Sequence, residues 1–169
     1  MAGRAARLSA GLLLHCPGPG GTGDPEVLLG HMGGPYWARK DDGAWSIPKG
    51  EHDADEDPRL AAAREFTEEL GSPPPPGPLH ELGTVRQRGG KLITVFALGL
   101  GPGADFDADH ITPGTFELEW PPRSGRMQAF PEIDRAAWFD VGTARRKLVR
   151  GQVEFLDRLL VSLDRAGSP

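Results

Sequence analysis

The stretch Gly50 to Ser72, GEHDADEDPRLAAAREFTEELGS, constrains this chain more than any other. Pro58 suits a first helical turn, where its missing N–H would be unpaired anyway. Asp57 can cap the free N–H groups, and Gly71 followed by Pro73 stops the helix. The pattern predicts a helix over Pro58–Leu70. On it Glu65, Glu68 and Glu69 fall at i, i+3 and i+4, which places three carboxylates on one face, with Leu60, Ala63, Thr67 and Leu70 on roughly the opposite face. Like charges at this spacing repel, and only Arg64 stands beside them. Hard cations in the gap relieve that repulsion, because Mg²⁺ takes carboxylate oxygens and usually also holds substrate phosphates. The competing reading is a solvated, Glu-rich helix face.

The fixed pattern favours the metal reading: Gly50, five residues, Glu56, seven residues, Arg64-Glu65, apolar Phe66, Thr67, Glu68-Glu69, Leu70, Gly71. From average residue frequencies such a coincidence has a chance on the order of one in ten million in a chain of this length. The pattern resembles the Nudix box, G-x5-E-x7-R-E-U-x-E-E-x-G-U with U apolar, the signature of MutT-like pyrophosphohydrolases. Ser72 departs from the final apolar position, which bears on packing after the helix more than on the acids.

At 169 residues the chain is expected to form one domain over residues 1–169, with a sizeable core. Its net charge of −5 argues against a basic face for nucleic acid, so anionic ligands must be handled locally. The single cysteine, Cys16, excludes an internal disulfide and favours a reducing, cytoplasmic setting. His15, His31, His52, His80 and His110 show no zinc-ligand spacing with it. Arg4 and Arg7 precede LSAGLLLHC, but the apolar run is short and lacks a small-residue cleavage site, so a strand is expected there and not a secretory signal. No run approaches transmembrane length.

Arg7 to His15 and Glu26 to Gly30 read as a hairpin across PGPGGTGD. Trp45 to Ile47 reads as a short strand, and Pro48-Lys49-Gly50 as a tight turn. After the helix, Pro73 to Pro78 reads as a stiff surface connection. His80 to Gln87 and Leu92 to Leu100 form a second predicted hairpin. Gly101 to Gly114 is a long acidic loop expected to be mobile. Thr115 to Trp120 alternates as a half-buried strand, and Trp138-Phe139 mark a short one. Asp140 caps a helix to about Val149, and Gln152 to Arg165 is an amphipathic helix with Val153, Leu156, Leu159, Leu160 and Leu163 inward. This order indicates α/β architecture, a mixed sheet between helical layers. It agrees with the Nudix α/β/α sandwich and its catalytic helix.

The resemblance implies Glu65, Glu68 and Glu69 as metal ligands, with Glu65 also helping to deprotonate water. It further implies the Lys49 carbonyl as a ligand and Arg64 as the group that orients the box glutamates. Glu56 is expected to secure the loop and a metal-bound water. The family usually draws a fourth carboxylate from a later loop; Glu132, ahead of Trp138, is the candidate, with Glu117 and Glu119 as competitors. Tyr36, Trp37, Arg39, Lys40, Trp45 and Lys49 form an aromatic and basic set suited to stacking a base and holding phosphates, although Trp45 and Trp37 suit a core as well.

The implied activity is Mg²⁺-dependent cleavage of a phosphoanhydride by metal-activated water, with Mn²⁺ able to substitute. Trp45-Ser46-Ile47-Pro48-Lys49-Gly50 resembles the W-x-x-P-K-G lead-in of enzymes cutting dinucleoside polyphosphates; NTPs are the next class. The tyrosine common downstream of the box in those enzymes has no counterpart in Gln87 to Lys91. The alternatives are an ADP-ribose or nucleoside diphosphate sugar hydrolase, or a non-catalytic nucleotide-binding module. The expected partner is a small-molecule nucleotide, with no nucleic-acid duplex and no membrane, and the assembly a monomer or homodimer.

Overall fold

The apolar run after Arg7 becomes strand β1, Leu8–Cys16, buried along nearly its whole length. A computed structural model describes residues 5–21, 23–101 and 103–168. Arg4, which entered the weighing of a secretory signal, lies outside the described residues. Strand β2, Glu26–Met32, meets the end of β1 antiparallel at His15↔Val27 and Cys16↔Glu26. Strand β3, Trp45–Ser46, is followed by β4, Lys49–His52. The tight turn expected at Pro48-Lys49-Gly50 is therefore corrected. Lys49 and Gly50 lie in a strand paired with Gly11 and Ala10 of β1, whose open ladder they complete.

Helix α1, Pro58–Leu70, starts where expected, with the Asp57 carboxylate accepting from the Arg59 amide. It ends at left-handed Gly71 (φ 83°), where a Cβ would meet the Thr112 carbonyl at 2.3 Å. Strands β5, His80–Arg86, and β6, Leu92–Gly99, form the second hairpin, and β6 runs parallel to β1. Strand β7, Thr115–Glu119, pairs with β8, Met127–Pro131, in a separate two-stranded sheet that the sequence reading did not foresee. Strand β9, Ile133–Asp140, is longer than Trp138-Phe139 alone suggested and pairs with β2. Helices α2, Val141–Lys147, and α3, Glu154–Ala166, complete the order of elements.

The main sheet runs β3-β2-β1-β6-β5, with β4 also on β1 and β9 also on β2. Alternation along its strands divides the apolar side chains between two cores. Leu13, Val95 and Ile93 pack under Phe155, Leu156 and Leu159 of α3, while Leu12, Leu14, Phe96 and Leu98 pack under Ala62, Phe66 and Leu70 of α1. The result is the expected α/β/α arrangement around a mixed sheet. Among the described residues no helix is long and apolar enough to cross a membrane.

Loop contacts brace the end of α1 and the β8–β9 corner. The described part of the acidic loop, expected to be mobile, is docked: Phe106 is buried edge-on against Phe66, with ring centroids 5.2 Å apart. Beyond it, the Thr112 and Gly114 amides donate to the Leu70 and Glu68 carbonyls at the free end of α1. At the β8–β9 corner, a Cβ on Gly33 would lie 1.8 Å from the Pro131 carbonyl oxygen. Gly33→Ala is therefore expected to destabilise the fold by about 1–3 kcal/mol, the usual cost of overpacking. A urea unfolding midpoint equal to wild type would refute this.

Candidate active site

The buried side of α1 is Ala61, Ala62, Glu65, Phe66 and Leu70, while Leu60 is 67% exposed. Of Leu60, Ala63, Thr67 and Leu70, expected on the face opposite the glutamates, only Leu70 is buried, so the helix packs on the side that carries Glu65. The physical reason lies in β4: a Cβ on Gly50 would sit 1.9 Å from a Glu65 carboxylate oxygen, so only glycine lets this helix face approach the strand. Glu65 and Glu69 consequently point toward the sheet, and only Glu68 of the three is exposed.

Arg64 gathers the acids. Its Nε and Nη2 donate to Glu56 at 3.1 and 3.2 Å, and its Nη1 donates to Glu65 at 2.7 Å and Glu68 at 3.3 Å. Nη2 also reaches the Glu51 carbonyl at 3.4 Å. These bonds, Glu56 first, hold the guanidinium firmly charged, and the same contact lowers the proton affinity of Glu56. Burial raises the pKa of Glu65, opposed by Arg64. Glu69 accepts from the Lys49 amide at 3.2 Å, and burial, partly offset by the Lys49 charge, pushes its carboxyl up to about 8. Burial lowers the Lys49 pKa, and Glu69 opposes that shift.

Glu132 occupies the single position between β8 and β9. Its amide donates to the Gly114 carbonyl and its carbonyl accepts from Gly33, both at 2.9 Å. Its carboxylate lies close enough to raise the proton affinity of both Glu65 and Glu69. Glu117 and Glu119 are exposed on β7, and Glu119 is taken by the Gly125 amide at 2.8 Å. As the side chains stand, no three His, Cys, Asp or Glu among the described residues are close enough to grip an ion. The like-charged carboxylates turn instead to Arg64 and to the Lys49 amide.

Beside the acids a cavity of about 320 Å³ is lined by Lys49, Glu69, Glu132, Trp37, Phe116 and Met32 among others. Trp37 thus takes the wall position expected of it, but Trp45 does not. Trp45 is 3% exposed in the core, donates from Nε1 to Asp41 and packs edge-on against His31 and Phe139. Its place in the substrate set is corrected accordingly. Tyr36, Arg39 and Lys40 are exposed outside the cavity lining; Tyr36 packs on Trp120, and the Lys40 ammonium lies 4.9 Å over Trp37.

Sequence reasoning missed Phe116 as a wall residue, since alternation assigned it a face without saying what the face meets. It also missed fully buried His31, which joins Asp134 of β9 at 2.8 Å and donates to the Lys40 carbonyl at 2.6 Å. Those bonds tie the segment bearing Trp37 to the strands behind the cavity. Gln152 was missed as well: buried in the 3-10 turn Arg150–Gln152 ahead of α3, it accepts from the Ile47 amide at 2.8 Å and so steadies the approach to Lys49.

The family model for the NUDIX domain matches residues 18–159. This chain belongs to the Nudix family. Over 63 residues it is 44% identical to a Mycobacterium tuberculosis protein whose name, 8-oxo-dGTP diphosphatase 3, is itself given as provisional. That match spans 37% of this Nudix chain and only 27% of the curated relative. The fold is similar to a C. elegans Ap4A hydrolase binary complex, with a TM-score of 0.63 and 19% identity over 93% of this chain and 98% of that one. It is also similar to the NUDIX domain of Shewanella oneidensis NrtR complexed with ADP ribose, with a TM-score of 0.61 and 16% identity over 96% and 91%. At such identities the likeness to both is one of Nudix fold.

Proposed function

We propose that this chain is a Mg²⁺-dependent pyrophosphohydrolase, with Mn²⁺ as a substitute, that cleaves a phosphoanhydride in a dinucleoside polyphosphate or an NTP. One observation carries the reading: Glu69 of α1 and Glu132 from the β8–β9 corner line the same aromatic-walled cavity, and the Glu132 charge is felt by Glu65 as well. The donor set fits a hard divalent cation. It consists of carboxylates and the Lys49 carbonyl, without thiol or imidazole, and the burial that pushes Glu69 up to about 8 marks a carboxylate short of positive charge. Glu65, Glu68, Glu69, Glu132 and the Lys49 carbonyl would hold the metal. Such an ion neutralises phosphate oxygens and lowers the pKa of bound water.

The chain's own groups do the rest. Arg64 holds Glu65 and Glu68 in place and, with Glu56, ties them to the loop before the helix. Glu65, whose proton affinity is raised by burial, is assigned to accept the proton of the attacking water. Trp37 and Phe116 offer flat apolar surfaces to a base, and Lys49 offers an ammonium to the phosphates. The approach Trp45 to Gly50 supports the dinucleoside polyphosphate branch, and the name of the M. tuberculosis relative supports the NTP branch.

A panel of dinucleoside polyphosphates, NTPs and nucleoside diphosphate sugars, incubated with Mg²⁺ and resolved by product, tests this proposal. Release of nucleotide products only from the sugars would move the activity to the ADP-ribose and sugar class, and no hydrolysis at all would leave a binding module. Within the panel, Lys49→Ala is expected to raise KM about tenfold for substrates with longer phosphate chains, the scale of one charged hydrogen bond, and less for nucleotide sugars. Equal losses in both classes would remove the phosphate contact from Lys49.

A further inference from the structure

Strand β9 carries an extra residue just after Glu132. Arg135 pairs with His31 and Ile133 with Met32, so Asp134 stands between them with no Cα partner on β2. Side-chain directions agree with an inserted residue. Ile133 packs in the core under α1, where a Cβ on Gly30 would lie 2.4 Å from its Cδ1. Asp134 and Arg135 lie together on the other side of the sheet: Asp134 meets the His31 ring, which stands edge-on to Trp45, and the Arg135 guanidinium lies 5.2 Å over Trp45. Two consecutive residues on one side mark a β-bulge, which bends a strand and re-aims its side chains.

A bulge disrupts the ladder locally and leaves its extra residue unpaired, so a side-chain bond must hold that residue. Here the bond comes from His31, fully buried on β2. Its Nδ1 lies 2.8 Å from Asp134 Oδ1, and its Nε2 donates to the Lys40 carbonyl at 2.6 Å. Lys40 donates its amide to the Trp37 carbonyl at 2.9 Å, and Gly33, two residues beyond His31, donates to the Glu132 carbonyl at 2.9 Å. One imidazole therefore joins the segment that bears the cavity wall to the strand that follows Glu132. Backbone bonds hold residue 132 in place; the bulge behind it sets the direction of the side chain. With the extra residue absorbed into the ladder, alternation would turn Ile133 to the α3 side and reverse Glu132 with it.

We propose that His31 and Asp134 are positioning residues: the buried imidazole pins the bulge at Asp134, and the pinned bulge aims the Glu132 carboxylate into the cavity beside Glu69. The proposal rests on the metal role proposed for Glu132 and deepens it. Removing the Asp134 carboxylate leaves the Nε2 bond to Lys40 in place, so the effect is read at Glu132 and not at Trp37.

Because His31 is fully buried, the test changes its partner. In calorimetric titration of the full chain, Asp134→Ala is expected to weaken Mn²⁺ binding about tenfold, the scale for a residue that orients a metal ligand. Asp134→Asn should recover most of the loss, since its amide can either donate to or accept from Nδ1. In hydrogen exchange, the Gly33 and Glu132 amides should lose protection in Asp134→Ala, with the amides of β1 unchanged. Asp134→Ala made on a Glu132→Gln background should cost no further Mn²⁺ affinity, whereas a general weakening of the fold would cost the same in both backgrounds. Additive losses, or unaltered exchange at Gly33 and Glu132, would overturn the positioning role. If Glu132→Gln by itself leaves Mn²⁺ affinity unchanged, the metal role of Glu132 falls, and the exchange result alone decides whether Asp134 pins the bulge.

Discussion

Glu69→Gln and Glu68→Gln are each expected to lower turnover by two to three orders of magnitude, the range for losing a group that stabilises charge in the transition state. The fold should remain. Glutamine keeps the volume of the side chain, and at position 69 its amide oxygen can still accept from the Lys49 amide. Stability should distinguish this from a damaged core. Burial raises the folded-state pKa of Glu69 from 4.5 to about 8, so the folded protein favours the protonated form. The contribution is present below about 4.5 and is lost as pH rises through about 8. With metal chelated, the thermal midpoint of wild type should therefore fall over that window, and that of Glu69→Gln should fall less. Near wild-type kcat in either variant at saturating Mg²⁺ would end the metal-helix reading.

The second large effect concerns Glu132. A run of backbone bonds leads to it from α1: the Gly114 amide to the Glu68 carbonyl, the Glu132 amide to the Gly114 carbonyl, and the Gly33 amide to the Glu132 carbonyl. The corner is held entirely by main chain, which leaves the exposed carboxylate available to the acids of α1. Glu132→Gln is expected to lower kcat by one to three orders of magnitude and to raise the Mg²⁺ concentration needed for half-maximal rate. Urea unfolding should be unchanged, because nothing in the corner depends on the side chain. A kcat within twofold of wild type would transfer the role away from Glu132. Glu117 would then be the next residue to examine, since Glu119 is engaged at the hairpin tip.

Local pattern carried the catalytic helix. Asp57, Pro58 and Gly71 act on backbone groups within a turn of themselves, and the spacing of Glu65, Glu68 and Glu69 follows from helical period alone. Those features needed no knowledge of the rest of the molecule, and the helix bounds agree with them. The buried side of that helix was another matter. Leu60, on the face expected opposite the glutamates, is exposed, and β4 meets the side bearing Glu65 because Gly50 permits the approach.

The same division separates the strands. Leu8–Cys16 was legible as a strand from composition, but Lys49 and Gly50 resembled a turn until β1 was present to pair with them. Trp45 and Trp37 are equivalent as letters; one fills the core beside Phe139 and the other walls the cavity, according to which face of which neighbour each meets. Sequence by itself determined the helix, its caps, its acids and the layered class, because these depend on short-range geometry. Tertiary structure decided which acids face inward and that Glu132 lines one cavity with Glu69, because each depends on residues distant in sequence being packed side by side.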